Sequence, residues 1–104
     1  MIKCLAVALT MACAGTAVGA EFEVGQLNKA FDVPELKVKV GDTVSFKNND
    51  AFAHNIFSLS DVKSFDLGSY QQGQTRKVAF DKPGTVEVEC ALHPGMKMTI
   101  QVQK

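Results

Sequence analysis

A stretch near the end of the chain, from Cys90 to Met98, constrains this sequence more than any other. It lies between two runs in which apolar and polar residues alternate, and it carries a thiol, an imidazole and a thioether at Cys90, His93 and Met96. Alternation with a period of two is typical of β-strands. The stretch is therefore predicted to be a loop whose two ends are fixed by strands.

The two flanking runs predict which side chains point into the protein. Successive side chains of a strand point to opposite faces, so every second residue shares a face. Two sets of apolar residues are thereby predicted to face the interior: Val86, Val88 and Cys90 before the loop, and Met98, Ile100 and Val102 after it. Cys90 is expected at the interior end of its strand.

A second histidine completes a candidate metal site. The chain has two histidines, and the other one, His54, lies in an apolar segment from Phe52 to Phe57. Soft sulfur ligands mixed with imidazole suit copper, and a trigonal Cys/His/His site with a weak axial methionine is the blue-copper, or type 1, arrangement. We therefore expect one type 1 copper ion bound by His54, Cys90, His93 and a methionine.

Two methionines compete for the axial position. Met98 is already required as the first inward residue of the last strand, whereas Met96 precedes that strand, where the loop can still turn toward a metal. We predict Met96 as the weak axial ligand and Met98 as a packing residue beneath the site. Met98 is retained as the alternative axial ligand.

The rest of the chain also predicts β-structure. Short strands separated by turn signals are typical of a β-sandwich. The segment from Phe52 to Leu59 is predicted to be covered on both sides, and residues from Ser60 to Gly73 to be irregular, with at most one helical turn near Asp61 to Phe65. The other predicted strands are Leu36–Val40, Thr43–Lys47, Gln74–Phe80 and Thr85–Cys90.

From Phe22 to Lys104 the chain resembles a plastocyanin/amicyanin-type cupredoxin. The resemblance is carried by His54-Asn55, by the Lys82-Pro83-Gly84-Thr85 turn and by the closing Cys-x2-His-x2-Met motif. It implies an all-β fold consisting of a single Greek-key β-sandwich. It also implies that Asn55 ties the His54 segment to the cysteine loop and helps to orient hydrogen bonds to the thiolate. One departure is Leu92, because many relatives carry proline directly before the second histidine.

An export signal is predicted over residues 1–20. Lys3 supplies a charged start, the segment from Leu5 to Ala14 is apolar, and Val18-Gly19-Ala20 has the small residues of a cleavage site. Cleavage is expected before Glu21, which predicts a periplasmic or otherwise exported protein.

Cleavage would leave one domain, residues 21–104, in which no segment is predicted to span a membrane. Cys4 and Cys13 would be lost, so Cys90 would be the only cysteine, with no disulfide partner. Lipid attachment at Cys13 is the weaker alternative, because Thr10 occupies a position where an aliphatic residue is expected.

Charge and residue types exclude several classes of function. The 11 basic and 11 acidic residues are interspersed, so no basic stripe indicates nucleic-acid binding. Structural zinc usually has a closed set of four ligands without methionine, which favours copper. A Cys-His nucleophile would lack an orienting third residue, and two histidines cannot supply the further centres of a multicopper enzyme. We therefore do not expect an enzyme.

Two functions remain. In the first, the protein is a monomer that shuttles single electrons between redox proteins, such as a dehydrogenase or a c-type cytochrome, through Cu(I) and Cu(II). The resemblance implies a methylamine-oxidising enzyme as one such partner. In the second, the same site sequesters copper or confers copper tolerance. The chain has no histidine- or methionine-rich tail, so electron transfer is favoured.

Overall fold

The computed structural model describes residues 19–104, which form two packed β-sheets. These residues contain nine strands and no helix: β1 Glu21–Leu27, β2 Ala30–Phe31, β3 Glu35–Lys39, β4 Thr43–Asn48, β5 His54–Leu59, β6 Ser64–Tyr70, β7 Thr75–Ala79, β8 Gly84–Cys90 and β9 Lys97–Gln103. The predicted all-β sandwich is confirmed. The predicted signal, residues 1–20, lies outside the described residues except for its last two positions.

The chain crosses repeatedly between the two sheets. One sheet has the strand order β2-β1-β4-β7 and the other has the order β3-β9-β8-β5-β6. Because β1 pairs with β4 and β3 pairs with β9 in parallel, these neighbours are joined by crossovers rather than by hairpins. The part of the chain that the structure describes holds no helix with the length and hydrophobicity of a membrane span.

The core lies between the sheets, where the alternation in β8 and β9 predicts it. All six residues predicted to face inward are buried: Val86, Val88, Cys90, Met98, Ile100 and Val102. Val86 pairs with Ile100 and Val88 with Met98 across the two strands. This hairpin fixes both ends of the loop from Ala91 to Met96.

Three local predictions are wrong. The segment from Ser60 to Gly73 is not irregular throughout, because it contains β6. The part near Asp61 to Phe65 forms no helical turn, because Ser64 begins β6, which pairs with Leu59 and the rest of β5. The segment from Phe52 to Leu59 is not covered on both sides. Its strand begins only at His54, and Phe52 and Leu59 are 39% and 78% exposed. β6 is an edge strand of the five-stranded sheet and β5 is its neighbour, and local sequence does not report such positions.

The predicted turn before β8 depends on a glycine. Gly84 has a φ of 138°, which residues with a Cβ atom rarely adopt. A Cβ placed there would lie 2.5 Å from Cγ2 of Val62. Gly84 therefore allows the chain to enter β8 while remaining in close contact with the segment between β5 and β6.

Candidate metal centre

Neighbouring strands bring His54 and Cys90 to the same end of the sandwich. His54 is the first residue of β5 and Cys90 is the last residue of β8. These strands are antiparallel neighbours, with Ile56 paired to Cys90. The start of β5 therefore lies beside the end of β8. His93 and Met96 belong to the loop that follows β8.

The three strongest donor atoms lie at the spacing of a trigonal site. Sγ of Cys90 is 3.6 Å from Nδ1 of His54 and 3.6 Å from Nδ1 of His93. All three donor atoms lie within 4.8 Å of one another. Metal bonds of about 2.0–2.3 Å to nitrogen and sulfur, arranged in a plane, separate the donors by about 3.6 Å. The residues present therefore fit a copper ion of the predicted type.

The two methionines occupy different kinds of position. Met96 is buried within the loop, where its N–H donates to the His93 carbonyl at 3.1 Å and its carbonyl accepts the Cys90 N–H at 3.2 Å. These bonds hold Met96 against the residues that carry the nearby donors. Met98 is buried within β9, opposite Val88. Met96 thus lies in the loop and Met98 in the strand, and the choice of Met96 as axial ligand stays a prediction.

His54 is fully buried, and a carboxylate contacts its remote nitrogen. Nε2 of His54 is 2.7 Å from Oδ2 of Asp50, which is itself buried. The Asp50 carboxylate also accepts the backbone N–H groups of Asn28 and Lys29. Burial by itself raises the pKa of Asp50, but the hydrogen bonds from His54 and from the two N–H groups outweigh it and hold the pKa below 3.8.

Asp50 was not among the residues predicted from the sequence. The only available signal was an acidic residue in the loop preceding the histidine. The spacing of residues in an irregular loop does not show in which direction a side chain points. Asp50 therefore could not be distinguished from an ordinary loop aspartate.

Asn55 contacts the cysteine loop through its backbone. Its N–H points at Sγ of Cys90, 3.5 Å away, and its carbonyl accepts the Ala91 N–H at 2.9 Å. Its side-chain amide instead donates to the Asp66 carboxylate at 2.8 Å. Hydrogen bonds from the Gly68 N–H and from this amide lower the pKa of Asp66 from 3.8. The connection between the two ligand-bearing segments thus does not depend on the side chain of Asn55.

His93 lies at the rim of the site, between His54 and the solvent. Its ring centroid is 4.8 Å from that of His54 and 5.2 Å from that of Phe52. Desolvation, followed by the charges of His54 and Lys29, lowers the pKa of His93 from 6.5. Phe52 and Leu92 are 39% and 51% exposed. The rim around His93 is therefore apolar and accessible from outside.

Comparison with known families gives a match over nearly all the described residues. The profile that matches is that of copper binding proteins of the plastocyanin/azurin family, and it covers residues 18–103. This is the same class of protein that the His54-Asn55 pair and the closing Cys-x2-His-x2-Met motif resemble.

Individual relatives agree with the profile. The methylamine utilization protein MauL of Methylorubrum extorquens is 32% identical, over 98% of this chain and 93% of that protein. Amicyanin-alpha of the same organism is 32% identical, over 78% of this chain and 71% of that protein. Among solved structures, a reduced amicyanin with one substitution superimposes with a TM-score of 0.74 and 31% identity, covering 85% of this chain and 86% of the other.

Proposed function

Because the chain belongs to the plastocyanin/azurin family of copper-binding proteins, we propose that it is a carrier of single electrons whose one copper ion is held by His54, Cys90 and His93, with Met96 as the weak axial ligand. The observation that carries the proposal is the placement of Cys90 Sγ 3.6 Å from both histidine Nδ1 atoms. When bound, the copper supplies the one-electron Cu(I)/Cu(II) couple.

The protein's contribution is to hold the ligands still. His54 and Cys90 belong to neighbouring strands of one sheet. Two backbone hydrogen bonds restrain Met96, one from the Cys90 N–H at the end of β8 and one to the His93 carbonyl within the loop. Ligands that are fixed by paired strands move little when an electron arrives or leaves. A small rearrangement keeps the barrier to electron transfer low, which suits a shuttle rather than a site of covalent chemistry.

The rim around His93 is the proposed point of electron exchange. His93 is the only one of the two histidines that reaches the surface, and the exposed side chains beside it, Phe52 and Leu92, are apolar. An accessible rim with apolar side chains at its centre allows a partner to approach closely, and Lys29, whose Nζ lies 5.9 Å from the centroid of the Phe52 ring, adds a positive charge beside it. We assign this rim as the docking surface for redox partners.

The relatives and the first 20 residues support a proposal for the partners and the compartment. One relative that aligns over 98% of this chain is named as a methylamine utilization protein, which supports an amine-oxidising dehydrogenase as electron donor. The electron acceptor in this proposal is a c-type cytochrome. The signal-like residues 1–20 support export to the periplasm with cleavage before Glu21, leaving the domain at 21–104 as a monomer. In this role the protein is not itself an enzyme.

Electrochemistry of the copper-loaded protein tests the proposal. We expect a reversible one-electron wave with one copper per chain, and rapid reduction of the oxidised protein when a periplasmic dehydrogenase and its amine are added. Zinc-loaded protein is the matched control, since it keeps the fold but lacks a redox couple. Tight copper binding without a reversible wave would instead indicate a copper-sequestering protein.

A further inference from the structure

The nitrogen of His54 that faces away from Cys90, Nε2, is hydrogen-bonded to a carboxylate oxygen of Asp50. The Asp50–His54 contact of 2.7 Å joins two side chains that are 5% and 0% exposed. The ring of His54 therefore has Cys90 on its Nδ1 side and a buried anion on its Nε2 side. A hydrogen bond to the remote nitrogen of a metal-binding histidine sets its tautomer and its strength as a donor.

The carboxylate is itself held from several directions. Oδ1 of Asp50 accepts the Asn28 N–H at 2.7 Å, and Oδ2 accepts the Lys29 N–H at 3.1 Å. The Asp50 N–H donates to Oδ1 of Asn48 at 2.8 Å. Asn48 in turn donates to the carbonyls of Phe52 and Tyr70. Asp50 thus has little freedom to turn away from His54.

The hairpin that supplies these N–H groups has an unusual backbone. Asn28 and Lys29 connect β1 to β2 as a two-residue turn, and their φ angles are 57° and 59°. A turn with two positive φ angles is the type I′ hairpin turn, which usually has glycine at its second position. Lys29 adopts this conformation although it carries a side chain. Both N–H groups of the turn are directed at the two oxygens of Asp50.

We propose that Asp50 is a positioning residue of the metal centre, which holds His54 as the Nε2–H tautomer with Nδ1 free for the metal and favours the oxidised state of the site by its buried negative charge. The proposal rests on the copper site proposed above. With Asp50 ionised, the proton between the two side chains belongs on Nε2 of His54. A fixed anion close to a ligand stabilises the more highly charged metal, so Asp50 lowers the reduction potential.

The tautomer is tested on the wild-type protein without metal. Two-dimensional 15N–1H NMR of the imidazole rings distinguishes the two tautomers, and we expect His54 to carry its proton on Nε2. His93, which lacks the carboxylate contact, serves as the internal comparison. A His54 ring protonated on Nδ1 alone would overturn the proposal, and this measurement needs no variant and no copper.

The effect on the metal is tested with Asp50→Asn, which keeps the side-chain shape and removes the charge. Loss of such an outer partner typically lowers metal affinity about 10–100-fold, and here Cu(II) affinity should fall more than Cu(I) affinity. Each tenfold excess of the loss in Cu(II) affinity over the loss in Cu(I) affinity raises the reduction potential of this one-electron couple by about 59 mV. Asp50→Glu, which restores the charge, should recover part of the lost Cu(II) affinity.

Asp42→Asn is the matched control. Asp42 is also a buried carboxylate, 6% exposed, and it accepts the Lys39 N–H at 2.7 Å. It precedes β4, whereas Asp50 follows that strand, so the two carboxylates lie at opposite ends of the sandwich. Asp42→Asn should reduce stability without moving the potential.

The outcomes separate this inference from the proposed function. The role of Asp50 would be overturned if Asp42→Asn and Asp50→Asn shifted the reduction potential equally, or if Asp50→Asn did not shift it. Either result would leave the proposed copper site intact. Wild-type protein that binds no copper would overturn the proposed function, and the tautomer of His54 would still decide whether Asp50 orients that ring.

Discussion

Asn55 and Ala91, the residues that directly follow the first histidine and the cysteine, are joined by a backbone hydrogen bond of 2.9 Å from the Ala91 N–H to the Asn55 carbonyl. This bond connects the start of β5 to the loop after β8. The positions of His54 and Cys90 are therefore coupled through main-chain atoms, and this bond does not depend on either side chain unless proline replaces Ala91.

Cys90→Ser should abolish the intense thiolate-to-copper absorption of the Cu(II) protein, because Cys90 is the only thiol among the described residues. Visible spectroscopy during titration with Cu(II) measures this directly. Ser45→Ala, a small change at a buried position of β4 outside the donor cluster, should leave the band unchanged. A band that survives in Cys90→Ser would contradict the type 1 assignment.

Met96→Leu and Met98→Leu should have different effects. Met96 lies in the loop beside Cys90, so its replacement should retain copper but change the visible spectrum and the reduction potential, since the axial ligand tunes potential. Met98 packs opposite Val88 in the core, and this near-isosteric change should cost less than about 1.5 kcal/mol. If Met98→Leu moved the potential while Met96→Leu did not, the two roles would be reversed.

Asn55→Ala should have little influence on the copper band. The side-chain amide of Asn55 contacts the exposed Asp66 carboxylate, whereas the contacts to Cys90 and Ala91 come from the backbone. We expect a loss of stability of about 0.5–1.5 kcal/mol, typical of one hydrogen bond. Chemical denaturation together with the visible spectrum checks both parts. A large spectral change would show that the side chain orients the thiolate after all.

Acid should weaken the contribution of Asp66 to stability. Because the folded-state pKa of Asp66 lies below 3.8, its ionised form is stabilised by folding. That contribution is fully present above the unfolded pKa and is lost as the pH falls through the folded pKa. The stability difference between the wild type and Asp66→Asn should therefore shrink as the pH is lowered from about 6 to about 3. A difference that grows toward low pH would contradict the assignment.

Gly84→Ala should destabilise the protein more than Gly73→Ala. Both glycines have positive φ angles, of 138° and 85°, and such backbone strain costs about 1–3 kcal/mol in a residue with a side chain. At Gly84 the new Cβ would also collide with Val62, whereas nothing lies within 4 Å of a Cβ at Gly73. Thermal unfolding of the two variants measures the difference. Equal losses would show that the Val62 contact relaxes freely.

The core of the last hairpin and the composition of the candidate site were predictable from sequence. Side-chain direction in a strand alternates because of the local pleat, so the inward positions of Val86, Val88 and Cys90 could be deduced from neighbouring residues alone. Ligand chemistry is also a property of the residue type. Residues 19–104 hold one cysteine, Cys90, close to a histidine and a methionine, and a single further histidine, which leaves few other donor sets.

Tertiary structure alone decided which groups surround those donors. Asp50 reaches His54 because the β1–β2 hairpin, more than 20 residues earlier, turns two N–H groups toward its carboxylate. The Asn55 amide turns away from the cysteine loop because β6 presents Asp66 to it. These contacts join residues that are distant in sequence or belong to irregular loops, where no period sets the direction of a side chain. Their geometry is determined by how the strands pack, so it cannot be predicted from local sequence.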